Sequence, residues 1–226
     1  PAEAVQLATL QLPVAFVFGV AVATADERHY VYVSYSNSTH RRGGASTSPT
    51  QVGVLTFEAT LSDTGVVDLR ALGATVGLED QPSTVLAGGV TLDSDLQRLY
   101  VAYSCSSVIA YDVSAPAAPK VWAVRNLQGM MVFQVSIGPG HYVYVGLPAS
   151  EDHDRTPNAT ATGGATPLGT GMALVDASTP AAFATGSVSV LPVAWSAMAQ
   201  ASLPADRSRL IVADGASGLF SLSVTV

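Results

Sequence analysis

Apolar residues alternate with small or polar ones in short runs along the whole chain, and a turn-forming cluster interrupts each run after six to nine positions. "HYVYVSY" at 29–35, "RLYVAY" at 98–103, "HYVYVG" at 141–146 and "RLIVAD" at 209–214 are examples. Period-two alternation rich in Val, Tyr, Ile and Leu predicts strands, and no helical period long enough to compete with it occurs. Residues 4–25 lack charge but contain Pro13, Gln6 and Gln11, and their β-branched runs predict two successive strands rather than a membrane helix. The segment has neither the basic start nor the small-residue end of a secretory leader.

The runs fall into four superimposable units. First strands are predicted at "FGVAVAT", "GGVTLD", "FQVSIG" and "AQASLP", and the second strands are the four runs above. Third strands follow at "VGVLTFEA", "SVIAYDV", "GMALVDA" and "GLFSLSV". Fourth strands are predicted at "VVDLRALGA", "PKVWAV" and "TGSVSV", and the last unit stops without one. The units cover about 13–80, 84–127, 130–191 and 195–226, and each is read as antiparallel strands of about five or six residues in one domain spanning 1–226.

Asp112 and Asp176 end their third strands and are followed by Ser-x-Pro, at Pro116 and Pro180. Their carboxylates are expected to bond to nearby amides in a rigid outer turn, a role that accounts for them without a metal.

The phrases "YVAYSCSSVIAYDVSAPAAPKVWAV" and "LIVADGASGLFSLSV" resemble the LVIVD-type β-propeller repeats. The match is good in the second unit, partial in the third and fourth, and weak in the first, where Phe57-Glu58-Ala59 replaces Tyr-Asp-Val. The resemblance implies an all-β propeller of about four four-stranded antiparallel blades. It implies little chemistry, because the family consists mainly of surface or secreted proteins without an assigned reaction. The leading run at 4–12, with Val5, Leu7, Thr9, Leu10 and Leu12, occupies the place of a fourth strand. It is expected to complete the last blade, either in its own chain or in a neighbouring copy, and the latter repeated head to tail gives a filament.

Composition narrows the function. The formal charge of −7 comes from scattered carboxylates with no basic stripe, which argues against nucleic acid, and His40-Arg41-Arg42 reads as a solvated loop tip. Cys105 stands alone, so no intrachain disulfide forms, and its context reads as packing rather than nucleophilic chemistry. Long Gly/Ser/Thr/Pro-rich insertions between second and third strands, at 36–51 and 148–170, each carry an Asn-x-Ser/Thr acceptor, at Asn37 and Asn158. Because the chain has three asparagines in all, this placement predicts N-linked glycans and an extracellular or cell-surface location.

Propeller enzymes gather carboxylates and His at the inner strands. Here those strands offer Thr91, Gln134, Ser136, Gln200 and Ser202, so no acid/base pair, no metal and no cofactor is expected. His29 and His141 precede second strands at equivalent places and read as turn packing. The expectation is a structural or interaction module whose partners are other protein chains or copies of itself. One alternative is a propeller hydrolase or lactonase with a loop-borne metal site, for which "EDHDR" at Glu151 to Arg155 is the densest donor cluster. Another is a lectin using Tyr35, Tyr103 and Trp195 as rim aromatics.

Overall fold

The computed structural model describes residues 16–37, 50–61, 67–81, 87–103, 107–127, 132–147, 171–191, 197–203, 206–214 and 218–223. They form four antiparallel sheets, each built from consecutive strands. The first contains β1 (Phe16–Ala25), β2 (Arg28–Ser36), β3 (Thr50–Leu61) and β4 (Val67–Gln81) in that order. The second contains β5 (Ala87–Asp93), β6 (Arg98–Tyr103), β7 (Ser107–Asp112) and β8 (Lys120–Asn126). The third contains β9 (Gln134–Ile137), β10 (Tyr142–Leu147), β11 (Gly171–Asp176) and β12 (Val188–Leu191). The fourth has three described strands, β13 (Ala197–Leu203), β14 (Asp206–Asp214) and β15 (Gly218–Ser223). No helix among the described residues is long and apolar enough to cross a membrane.

Side-chain alternation sends each strand's residues to two faces, and here both faces are apolar. In β6, Leu99, Val101 and Tyr103 join Ile109 and Tyr111 in one core with Tyr30, Tyr32, Val52 and Val54 of the first sheet. Their neighbours Tyr100 and Ala102 join Val108 and Ala110 in a second core with Val143, Val145, Ala173 and Val175 of the third sheet. Tyr144, Met172 and Leu174 then meet Leu210 and Val212 of the fourth sheet. Completely burying a side chain such as Leu99 or Ile109 contributes about 1.5–3 kcal/mol, so the second sheet is held from both sides.

The register makes these junctions equivalent. Asp112, Asp176 and Glu58 pair with Arg98, Tyr142 and Tyr30, which aligns Tyr32, Tyr100 and Tyr144. All three tyrosines lie on the face their sheet turns toward the following one, its back. The residues beside them, such as Leu99 and Val143, lie on the front, against the preceding sheet. Front therefore meets back at every junction.

Each aligned tyrosine reaches the next sheet. The Tyr32 hydroxyl donates to the Pro116 carbonyl at 3.1 Å, the Tyr144 hydroxyl donates to the Arg207 carbonyl at 3.3 Å, and the Tyr100 ring lies 6.0 Å from that of Phe183. Burial, with a smaller effect from Tyr30, pushes the Tyr32 phenol up to about 12.

The turn after the third strand forms as expected, with Ser114 N–H donating to Asp112 Oδ1 at 2.9 Å and Ser178 N–H to Asp176 Oδ1 at 2.8 Å. The Ser114 backbone bond, aided by Arg98 and Lys120, holds the Asp112 carboxyl below its usual range despite partial burial.

Two features correct the uniform short-strand expectation. β3 and β4 run for 12 and 15 residues, with register shifts between Thr50 and Gly53 and between Thr56 and Phe57. β4 is half-buried or exposed at every residue whose burial is described, so little of its length carries an apolar alternation to read. After Asp176 the chain forms a short helix, α1 (Pro180–Thr185), instead of a plain turn. Thr179 Oγ1 accepts from Ala182 N–H at 3.0 Å, Pro180 opens the first turn, and buried Phe183 anchors the helix.

The β1–β2 hairpin turns on Asp26 and Glu27, with φ of 51° and 62°. Two left-handed residues are costly for side chains with a Cβ, and Asn-Gly suits this turn best. Replacing Asp26–Glu27 by Asn–Gly is expected to stabilise the protein by about 1 kcal/mol, read as a higher urea midpoint. A lower midpoint would contradict this turn geometry.

Candidate interaction surface

The first strands come together in sequence order, β1 against β5, β5 against β9 and β9 against β13. Glycine makes this approach possible. A Cβ on Gly19 would stand 2.6 Å from Val90 and 2.8 Å from the Gly88 carbonyl, and one on Gly88 would meet the Phe133 carbonyl at 2.6 Å. Polar groups stitch the same level: Gly19 N–H donates to Ser34 Oγ, Ser34 Oγ–H donates to the Gly88 carbonyl, and Gly89 N–H donates to the Phe133 carbonyl at 2.7 Å. Of the inner-strand polar residues, Thr91 and Gln134 are half-buried and Ser136 is buried. The side chains of Gln200 and Ser202 lie outside the described residues.

An ion cluster links two non-consecutive sheets. Arg207, at the start of β14, bonds both carboxylate oxygens of Asp93 at 3.1 and 3.3 Å and Asp95 at 2.7 Å. Asp93 ends β5 with its side chain 2% exposed, and it also accepts from Asp95 N–H at 3.0 Å and Leu96 N–H at 3.3 Å. Every strong bond to this carboxylate is structural, and it ties the second sheet to the fourth.

A second carboxylate, Glu58 on β3, sits between Arg70 and Arg28. The Arg70 hydrogen bond, with the charges of both arginines, holds its carboxyl below the usual range. Between the second and third sheets, Arg125 donates to the Phe183 and Gly186 carbonyls at 3.3 and 2.8 Å, at the end of α1. Arg98 lies 4.8 Å over the Trp122 ring while bonding Asp112 at 3.1 Å.

Tyr35 and Tyr103 are buried, so neither serves as an exposed rim aromatic, and Trp195 lies outside the described residues. Tyr103 donates to the Gly53 carbonyl at 2.8 Å, and burial raises the phenols of both Tyr103 and Tyr111. His29 is exposed and bonds Thr24 Oγ1 at 2.9 Å, while the His141 carbonyl accepts from Ala177 N–H. Asn37 is exposed, one position beyond β2. Asn158, Cys105, His40-Arg41-Arg42, Glu151 to Arg155 and the leading residues Val5, Leu7, Thr9, Leu10 and Leu12 all lie outside the described residues.

Among the described residues, the exposed large apolar side chains concentrate in the first and fourth sheets. On the first sheet's front, Phe18, Val20 and Val22 are 59%, 62% and 57% exposed. On the fourth sheet's back, Leu219 is 73% exposed. β15 also has one edge unpaired among the described residues. A scan against protein-family models finds no match, and a search of curated proteins finds none either.

Sequence reasoning missed the Arg207 cluster because Asp93 and Asp95 stand in the second unit and Arg207 in the fourth, with no local pattern joining them. Aspartate at a strand end opposite an arginine was visible, but their meeting depends on tertiary placement. Arg207→Ala leaves a buried carboxylate without its cation and is expected to cost about 3 kcal/mol. Asp95→Ala removes an exposed partner and is expected to cost under about 1 kcal/mol. Urea denaturation of both variants checks the difference, and equal costs would contradict the assigned role of Asp93.

Proposed function

We propose that the chain is an extracellular structural or interaction module of β-propeller type, N-glycosylated at Asn37 and Asn158, in which residues 4–12 supply the strand that the fourth sheet lacks. The observation carrying this reading is that, among the described residues, the fourth sheet has three strands where each of the others has four, with the first strands in series against one another. An unpaired β-edge presents a row of amides and carbonyls that pairs readily with an extended segment. The leading run places Val5, Leu7 and the β-branched Thr9 at alternate positions, and it stands before β1 as β4 stands before β5 and β8 before β9.

The exposure of Asn37 fits attachment of a glycan, and the resemblance to LVIVD-type repeats fits a surface or secreted setting. Function then lies in shape and edge complementarity toward protein partners.

Two readouts on protein isolated from its source test this reading. Hydrogen exchange is expected to show amides of residues 4–12 protected to the same degree as those of β12. Peptide mass mapping is expected to find glycan at Asn37 and Asn158, raising the mass above 23.1 kDa. Fast exchange throughout 4–12 overturns the strand assignment, and unmodified sequon peptides overturn the glycosylated, extracellular assignment.

A further inference from the structure

Of the six large apolar side chains exposed among the described residues, five belong to the first and fourth sheets. Val17, Phe18, Val20 and Val22 belong to the first sheet, Leu219 to the fourth, and Val121 on β8 is the exception. A row of exposed apolar side chains such as that on β1 points to an interaction site.

The repeat itself identifies what covers these faces. By register, Val20 and Val22 pair with Val33 and Val31, as Val90 and Leu92 pair with Val101 and Leu99, and as Val135 and Ile137 pair with Val145 and Val143. Val90 and Leu92 pack into the core with the first sheet, and Val135 is buried in the core with the second. The exposed valines of β1 therefore occupy positions that, in the next two sheets, are covered by the back of a preceding sheet.

The fourth sheet shows the reciprocal deficit. Leu219 pairs with Ala213 as Val108 pairs with Ala102, Val54 with Ser34 and Met172 with Gly146. Val54, Val108 and Met172 are completely buried, whereas Leu219 is 73% exposed. No packing comparable to the other first-strand junctions joins β13 to β1 among the described residues.

We propose that these two faces form one head-to-tail interface between copies of the chain, the back of one copy's fourth sheet seating on the front of the next copy's first sheet. The occupant is a second copy because the β1 stripe and the Leu219 side of β15 each lack the type of partner the other supplies, whereas Tyr35, Leu55 and Phe57 beside that stripe are already buried, and because the pair repeats the front-on-back geometry of the three internal junctions. Such an interface is heterologous, so it propagates into a filament or a closed ring of subunits. The inference rests on the preceding reading, with the leading run of one copy lying beside β15 of the other.

Sedimentation velocity over a concentration series, with Val22→Asp, Leu219→Asp and Val121→Asp variants, tests it. The wild-type protein is expected to form species larger than a dimer, and Val121→Asp is expected to do the same. Val22→Asp and Leu219→Asp are each expected to be monomeric, because every copy lacks one half of the junction. Their equimolar mixture restores one intact pair of faces and is expected to give dimers and nothing larger, which also shows that both variants fold. A wild-type protein that stays monomeric, with residues 4–12 protected, indicates closure within one chain and overturns the inference while leaving the strand assignment standing. Association that survives Val22→Asp or Leu219→Asp, is lost in Val121→Asp, or is not restored to dimers in the mixture also overturns it.

Discussion

Covering both faces of every sheet is the constraint on which the structure depends. Strands such as β6 and β7 are buried along nearly their whole length, so neither face of the second sheet can be left to water. A sheet with two apolar faces needs a neighbour on each side, and each neighbour inherits the same requirement. The chain meets this need by repeating one unit and stacking front on back; among the described residues the β1 stripe and Leu219 stay exposed, while Tyr35, Leu55 and Phe57 on the first sheet's front are buried.

The turn chemistry serves the same packing. An aspartate ends the third strand, folds the following Ser-x-Pro segment over its own carboxylate, and so presents a fixed ledge to the preceding sheet. Tyr32 uses that ledge through the Pro116 carbonyl, and Tyr100 uses its counterpart through Phe183 of α1. Where the first strands meet, the bulk is removed instead: Gly19, Gly88 and Gly89 bring backbones close enough for Gly89 to donate directly to Phe133. Arg207 then fixes the fourth sheet against the second through a nearly inaccessible carboxylate.

The unit boundaries and the order of the strands were legible because the burial pattern is local and has period two. The Asp112 and Asp176 turns were legible for a similar reason, since their bonds span only two residues. α1 was not, because six residues make fewer than two helical turns and leave no period to detect. Much of β4 was missed because exposure frees its positions from apolar alternation. The direction of each face was also hidden: a strand apolar on both sides does not reveal which side meets the preceding sheet. The register against the third strand, through Asp112, Asp176 and Glu58, settles that point. For the candidate surface, Asn37 could be placed from sequence, while the exposed stripe of β1 looked like any other buried strand.

The proposed strand addition at an open edge and the proposed face-on-face docking would be two parts of one junction, because the leading run and β1 are consecutive in the chain. The account stands on the front-to-back order of the sheets, and nuclear Overhauser contacts between assigned aromatic and methyl protons test that order most directly. It predicts contacts from the Tyr32 ring to the Leu99 or Val101 methyls and from the Tyr144 ring to the Leu210 or Val212 methyls. Contacts joining like faces instead, such as Tyr32 to Tyr100 or the Val143 methyls to those of Leu210, would contradict it.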